Sequence, residues 1–134
     1  LDTVLDRLRL RNVWHMDTAP ALPSGAGERL ACPMMARIAR LGVPTLVVAQ
    51  YLPTAWEDAG QARDEHRVAR LVLDCAERAG LATLDLYGLF EREVRAGGRG
   101  AVYNQWHPNA RGYRLTAEAV AEELARAKLV PAVP

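Results

Sequence analysis

His107 lies within Asn104-Gln105-Trp106-His107-Pro108-Asn109-Ala110-Arg111-Gly112, between a glycine-rich loop and an amphipathic segment. An imidazole on a loop is a general base that works near neutral pH. Read from residue type alone, it is more often a histidine packed or capped near a helix start. Ser24 is the chain's only serine, in Pro23-Ser24-Gly25-Ala26-Gly27. A nucleophilic serine needs a strand and a sharp turn just before it, so Ser24 reads as a turn or helix-cap residue. His15, His66 and His107 lack His or Cys partners at helical spacing, and neither zinc nor any other cofactor is expected. Cys32 and Cys75 stand 43 positions apart in helix-like stretches, and read as reduced thiols packed in a core. Asp64-Glu65-His66-Arg67 reads as the start of a long helix, its acids solvated near the positive end of the dipole. Trp14, Trp56 and Trp106 are core or lid residues by type. Trp56 and Trp106 fall in two loops expected to flank a cleft, where an acyl or sugar group could stack.

The elements that must position these groups follow from periodicity. Leu1 to Leu8 predicts a short helix, and Asn12-Val13-Trp14-His15-Met16 a buried strand, followed by a turn-rich loop to Gly27. A helix then runs to Leu41 with Gly42 as its cap. Pro33 marks the first turn of a separate helix beginning near Cys32. Val43 to Tyr51 is apolar without alternation, which predicts a strand buried on both faces in a parallel sheet. Val68, Leu71, Val72, Cys75, Ala76 and Ala79 form one helical stripe ended by Gly80, and Leu81 to Tyr87 is the next strand. A short helix, the Gly97-Gly98-Arg99-Gly100 loop and the His107 segment lead to a last helix carrying Leu115, Ala119, Val120, Leu124 and Ala127. The expected fold is α/β: a three-layer sandwich with a mostly parallel sheet of few strands and right-handed crossovers, occupying residues 1–134 as one domain with a tail at 129–134. Three strands make a thin sheet. Further strands from residues outside this sequence, or a second chain, are expected to complete it.

The His107 segment, with Leu115 to Leu124 after it, resembles the C-terminal signature of the SGNH (GDSL-type) esterase/lipase family. In that family the loop reads Asp-x-x-His, often followed by Pro-Asn, then a glycine and a helix. Val43 to Pro53 resembles the family's strand ending in proline, and residues 61–87 its next helix and strand, so the likeness covers about residues 40–128. The resemblance implies acyl transfer: a serine attacks an ester carbonyl, His107 takes its proton, and a carboxylate three residues earlier holds the imidazole. Asn104 stands where that carboxylate belongs, and an amide supplies no charge to an imidazolium. The family's Gly-Asp-Ser nucleophile is absent from this sequence, so the resemblance implies a nucleophile from outside it. Aligned by strand order, Asp17 occupies the loop that holds the family's oxyanion Asn, which makes it a substrate-binding candidate beside Trp56 and Trp106.

Composition sets the outer bounds. There are 17 Lys+Arg against 16 Asp+Glu, so no basic stripe for nucleic acid is expected. No run reaches the roughly 18–20 apolar residues that span a bilayer, and the start lacks a signal-peptide pattern, which favours a soluble, cytoplasmic protein. Nearly all cations are Arg, with Lys128 the sole lysine, and alanine is abundant, as in GC-rich bacterial sequences. The expected activity is hydrolysis or transfer of an O-acyl group, such as acetyl on a saccharide. The competing expectation is an inactive SGNH-like domain serving carbohydrate binding or protein assembly. An unrelated flavodoxin-like domain with phosphate at a helix N-terminus lacks the Gly-rich fingerprint that class uses.

Overall fold

The computed structural model describes residues 26–130. The chain divides into two compact units, Leu1–Leu30 and Ala31–Pro134, and the strands and most of the helical residues described here belong to the second. The expected helix at Leu1 to Leu8, the expected strand at Asn12 to Met16, and Asp17 and Ser24 lie outside the described residues.

The architecture is mixed α/β. Its order is α1 (Ala26–Ala39), β1 (Leu46–Ala49), a 3-10 turn (Pro53–Trp56), α2 (Ala59–Arg78), β2 (Ala82–Asp85), α3 (Tyr87–Gly97), a second 3-10 turn (Arg99–Ala101) and α4 (Ala110–Arg126). β1 and β2 pair in parallel, Leu46 opposite Ala82 through Ala49 opposite Asp85, with α2 as the connection between them. That is the βαβ arrangement the alternation of apolar runs predicts.

Both strands are shorter than the runs that encode them. Pro44 has no N–H to give a ladder, and the Thr45 hydroxyl donates back to the Val43 carbonyl at 2.8 Å. Past Ala49 the chain turns toward Pro53, which opens the first 3-10 turn. At the other strand, the Leu81 N–H is taken by the Ala76 carbonyl, which closes α2 over Gly80 in the left-handed region (φ 79°). The Leu86 N–H adds one further bond to the Ala49 carbonyl before α3 begins.

Further expectations are corrected. α1 runs unbroken through Pro33, which costs it one i→i−4 hydrogen bond and starts no separate helix. β1 is not buried on both faces: Val48 is 37% exposed, and with Val47, Val68 and Val72 it borders an apolar trough of about 500 Å³ between β1 and α2. Cys32 and Cys75 are not separate thiols. They are joined as a disulfide that staples α1 to α2.

The packed centre lies at the carboxyl ends of the strands. Leu86, Phe90, Val102 and Tyr103 are buried together, and Trp56, Leu84, Leu115 and Ala119 pack against them. Around that centre the rings of Tyr51, Trp56, Tyr87, Phe90 and Tyr103 meet at centroid distances of 5.2 to 6.3 Å, spacings at which aromatic pairs attract beyond their area burial. α2 begins at Ala59, where the Asp58 carboxylate accepts from the Gln61 N–H. Glu65 is therefore a second-turn residue rather than a solvated cap. Its carboxylate takes the Leu52 N–H and the Thr54 hydroxyl, each at 3.0 Å, clasping the segment that follows β1.

Candidate functional site

α4 starts where Asn109, in extended backbone, accepts the Arg111 and Gly112 N–H groups on its side-chain oxygen at 3.0 Å each. The same side chain donates to the Gly100 carbonyl at 3.0 Å, and the Asn109 N–H to the Val102 carbonyl at 2.9 Å. One asparagine thus caps the helix and locks its entry onto the preceding 3-10 turn. Gly112 packs against that turn so closely that a Cβ would collide with the Val102 carbonyl and with Pro108. Pro108 is buried and faces Tyr103 in an isolated antiparallel bridge. Between those two residues the chain makes a tight turn, closed by the Asn104 N–H donating to the His107 carbonyl at 2.9 Å.

This turn is tied to the sheet. The buried Tyr103 hydroxyl donates to the Tyr51 carbonyl, just past β1, at 2.9 Å. Burial raises the Tyr103 phenol well above its ordinary pKa, with Glu65 adding to it. Burial likewise raises Tyr51, aided by the Asp85 carboxylate, which its hydroxyl faces at 3.4 Å. The Arg99 guanidinium spans the two loops, donating to the Gln105 carbonyl at 3.1 Å and pairing with Glu57 at 3.0 Å.

On this fixed frame Asn104, Gln105, Trp106 and His107 are all exposed, Trp106 by 57%. Neither the Asn104 amide nor the His107 imidazole has a side-chain hydrogen-bond partner among the described residues. The structure brings Asn104, Trp106 and His107 onto one turn, as their sequence spacing requires, but they are linked through backbone and not through the amide and imidazole. Trp56 sits beneath the turn, its ring 5.4 Å from that of Tyr103 and stacked on Tyr87 at 5.6 Å. Its buried indole N–H has no acceptor among the described residues. His66 packs its ring against Tyr87 at 3.7 Å, away from any ligand-like grouping of donors among the described residues.

Sequence reasoning missed the residues that build the frame. Tyr103, Arg99 and Glu65 act through partners distant in sequence, and nothing local announces them. Asn109 and Gly112 carried a legible signal, since an asparagine before a helix with a glycine in its first turn is a cap that needs close backbone approach. Compared with protein-family models, with curated proteins and with solved structures, the chain matches none.

Proposed function

We propose that this chain is the base-bearing portion of an SGNH-like acyl hydrolase whose three-layer α/β sandwich is completed by further strands. His107 is the general base, Asn104 occupies the place of its orienting partner, and a hydroxyl nucleophile comes from outside the sequence. The substrate is an O-acyl ester, for example an O-acetylated saccharide. Trp106 and Trp56, with Asp17 by its position in the sequence, are its candidate contacts. One observation carries this reading. Tyr103, Pro108, Asn109 and Gly112, with Arg99, carry the bonds and close packing that fix the segment, while the side chains of Asn104, Trp106 and His107 are exposed and make no hydrogen bond among the described residues. Exposed side chains on a heavily bonded turn are free to meet a substrate. The test is hydrolysis of a chromogenic short-chain ester by the chain joined to the segment that supplies the nucleophile, with and without His107→Ala. The variant is expected to lose about a hundredfold or more of the rate, the usual weight of a general base. Equal rates remove His107 from the mechanism.

A second reading rests on Asn104, whose amide does not reach the imidazole by any hydrogen bond among the described residues. An unoriented base is a poor catalyst, and an exposed indole on a rigid turn suits the face of a sugar ring. On this reading the domain binds acylated saccharide without turnover. Quenching of Trp fluorescence that saturates with saccharide, and disappears in Trp106→Ala, distinguishes it from hydrolysis.

A further inference from the structure

The disulfide joins sulfurs of unequal access beside a cation. Cys75, on the inner side of α2, is 2% exposed, whereas Cys32 is only partly buried and is followed by exposed Pro33 and Met34. Arg78, one turn after Cys75 in the last turn of α2, directs the same guanidinium nitrogen at both sulfurs, 3.1 Å from Cys32 Sγ and 3.3 Å from Cys75 Sγ. A neutral disulfide offers a guanidinium only weak acceptors, but a thiolate at the same place offers a full negative charge. The arrangement therefore favours the product of S–S cleavage more than the bonded state.

We infer that Cys32–Cys75 is a thiol-exchange site: a small thiol of the glutathione class attacks the accessible Cys32 sulfur, and Cys75 leaves as a thiolate held by Arg78. In the first step the incoming thiolate forms a new S–S bond to Cys32 Sγ as the Cys32–Cys75 bond breaks, its electron pair departing on Cys75. A second thiolate then attacks the mixed disulfide, releasing the oxidised small-molecule disulfide and leaving Cys32 as the second thiolate. Two thiols supply the two electrons. The site rests on the staple alone and is independent of the role of His107.

The experiment incubates the oxidised 134-residue chain in glutathione buffers of graded ratio, quenches with acid, alkylates and maps the adducts by mass spectrometry. The expected intermediate carries one glutathione on Cys32 and an alkylated, formerly free Cys75. Arg78→Gln is expected to slow its appearance about tenfold, through loss of charge stabilisation at the leaving sulfur, and Arg78→Lys to restore most of the rate. A loosened fold would expose the bond and speed exchange, so slowing is not explained by misfolding. Glutathione found on Cys75, or identical rates in Arg78→Gln and the wild type, overturns the inference. So does a chain that retains two free thiols in excess oxidised glutathione.

Discussion

The carboxyl ends of the strands and the outer side of β1 are built from equally apolar sequence but packed in opposite ways. At the first, five aromatic rings close over Leu86 and Val102 and fix the His107 turn through Tyr103. At the second, Val47, Val48, Val68 and Val72 border a trough left open. Large flat side chains from consecutive loops can reach one another across a strand end, whereas β-branched residues on one strand and one helix stop short unless a further element fills the space between. The ordered end is where a loop can be held still enough to present an imidazole. Apolar composition therefore does not tell which surface is core, and substitutions at matched positions measure the difference.

The largest effect is expected for Phe90→Ala. Phe90 is 1% exposed and meets both Trp56 and Tyr103, so its removal leaves a cavity beneath the His107 turn and costs about 3–5 kcal/mol in urea unfolding. A loss under about 1 kcal/mol would mean that the aromatic cluster is as loosely filled as the trough.

Alkali should attack the same end next. The phenols of Tyr51 and Tyr103 are both raised, by burial first, above the value of about 10 that they have in the unfolded chain. A raised native pKa makes no difference while both states are protonated. Above pH 10 the unfolded chain releases protons that the native chain keeps, so stability is lost as pH rises, by up to about 1.4 kcal/mol per pH unit for each phenol. Chemical denaturation between pH 8 and 11 should show a plateau and then this fall. Burial raises the Tyr87 phenol as well, so replacing Tyr103 by Phe removes one of three linked groups and should lower the slope by about a third.

A smaller effect tests the frame of the turn. Asn109→Ala removes the helix cap and the bond to the Gly100 carbonyl together, and about 1–2 kcal/mol of stability should go with them. Hydrogen exchange at the Arg111 and Gly112 amides should rise by more than that at the α2 amides. Uniform exchange across both helices would show that Asn109 does not hold the turn locally.

These experiments bear on elements of unequal legibility. The α2 stripe was legible in part: Cys75 and Ala76 are buried as the spacing predicts, but Val68 on the same stripe is exposed and Leu73 outside it is buried, whereas Gly42 and Gly80 announced the ends of two helices by needing positive φ. The alternation of helix with β-rich run gave the parallel pair. Strand length was not legible, because Pro44 and the cap of α2 withdraw backbone donors that the apolar run does not reveal. Nor was the disulfide: two cysteines 43 residues apart pair only after α1 has been laid beside α2. At the candidate site, His107 was singled out by its type and Asn104 by the family resemblance, but Arg99, Glu65 and Tyr103 serve the turn from three other segments. Their contribution exists only once the chain is folded.

The last comparison is the sharpest, because it uses one substitution in both regions and its Val48 arm is the smallest effect expected. Val→Thr keeps the shape of the side chain and adds a hydroxyl. At Val102, fully buried, that hydroxyl has lost its water, and the change should cost about 1–3 kcal/mol unless a backbone carbonyl accepts it. At Val48, 37% exposed beside the trough, the hydroxyl stays hydrated and the change should fall within about 0.5 kcal/mol. Equal losses would mean that Val48 is as dry in solution as Val102. The trough would then be a filled interior, and the contrast between the carboxyl ends of the strands and the outer side of β1 would have to be abandoned.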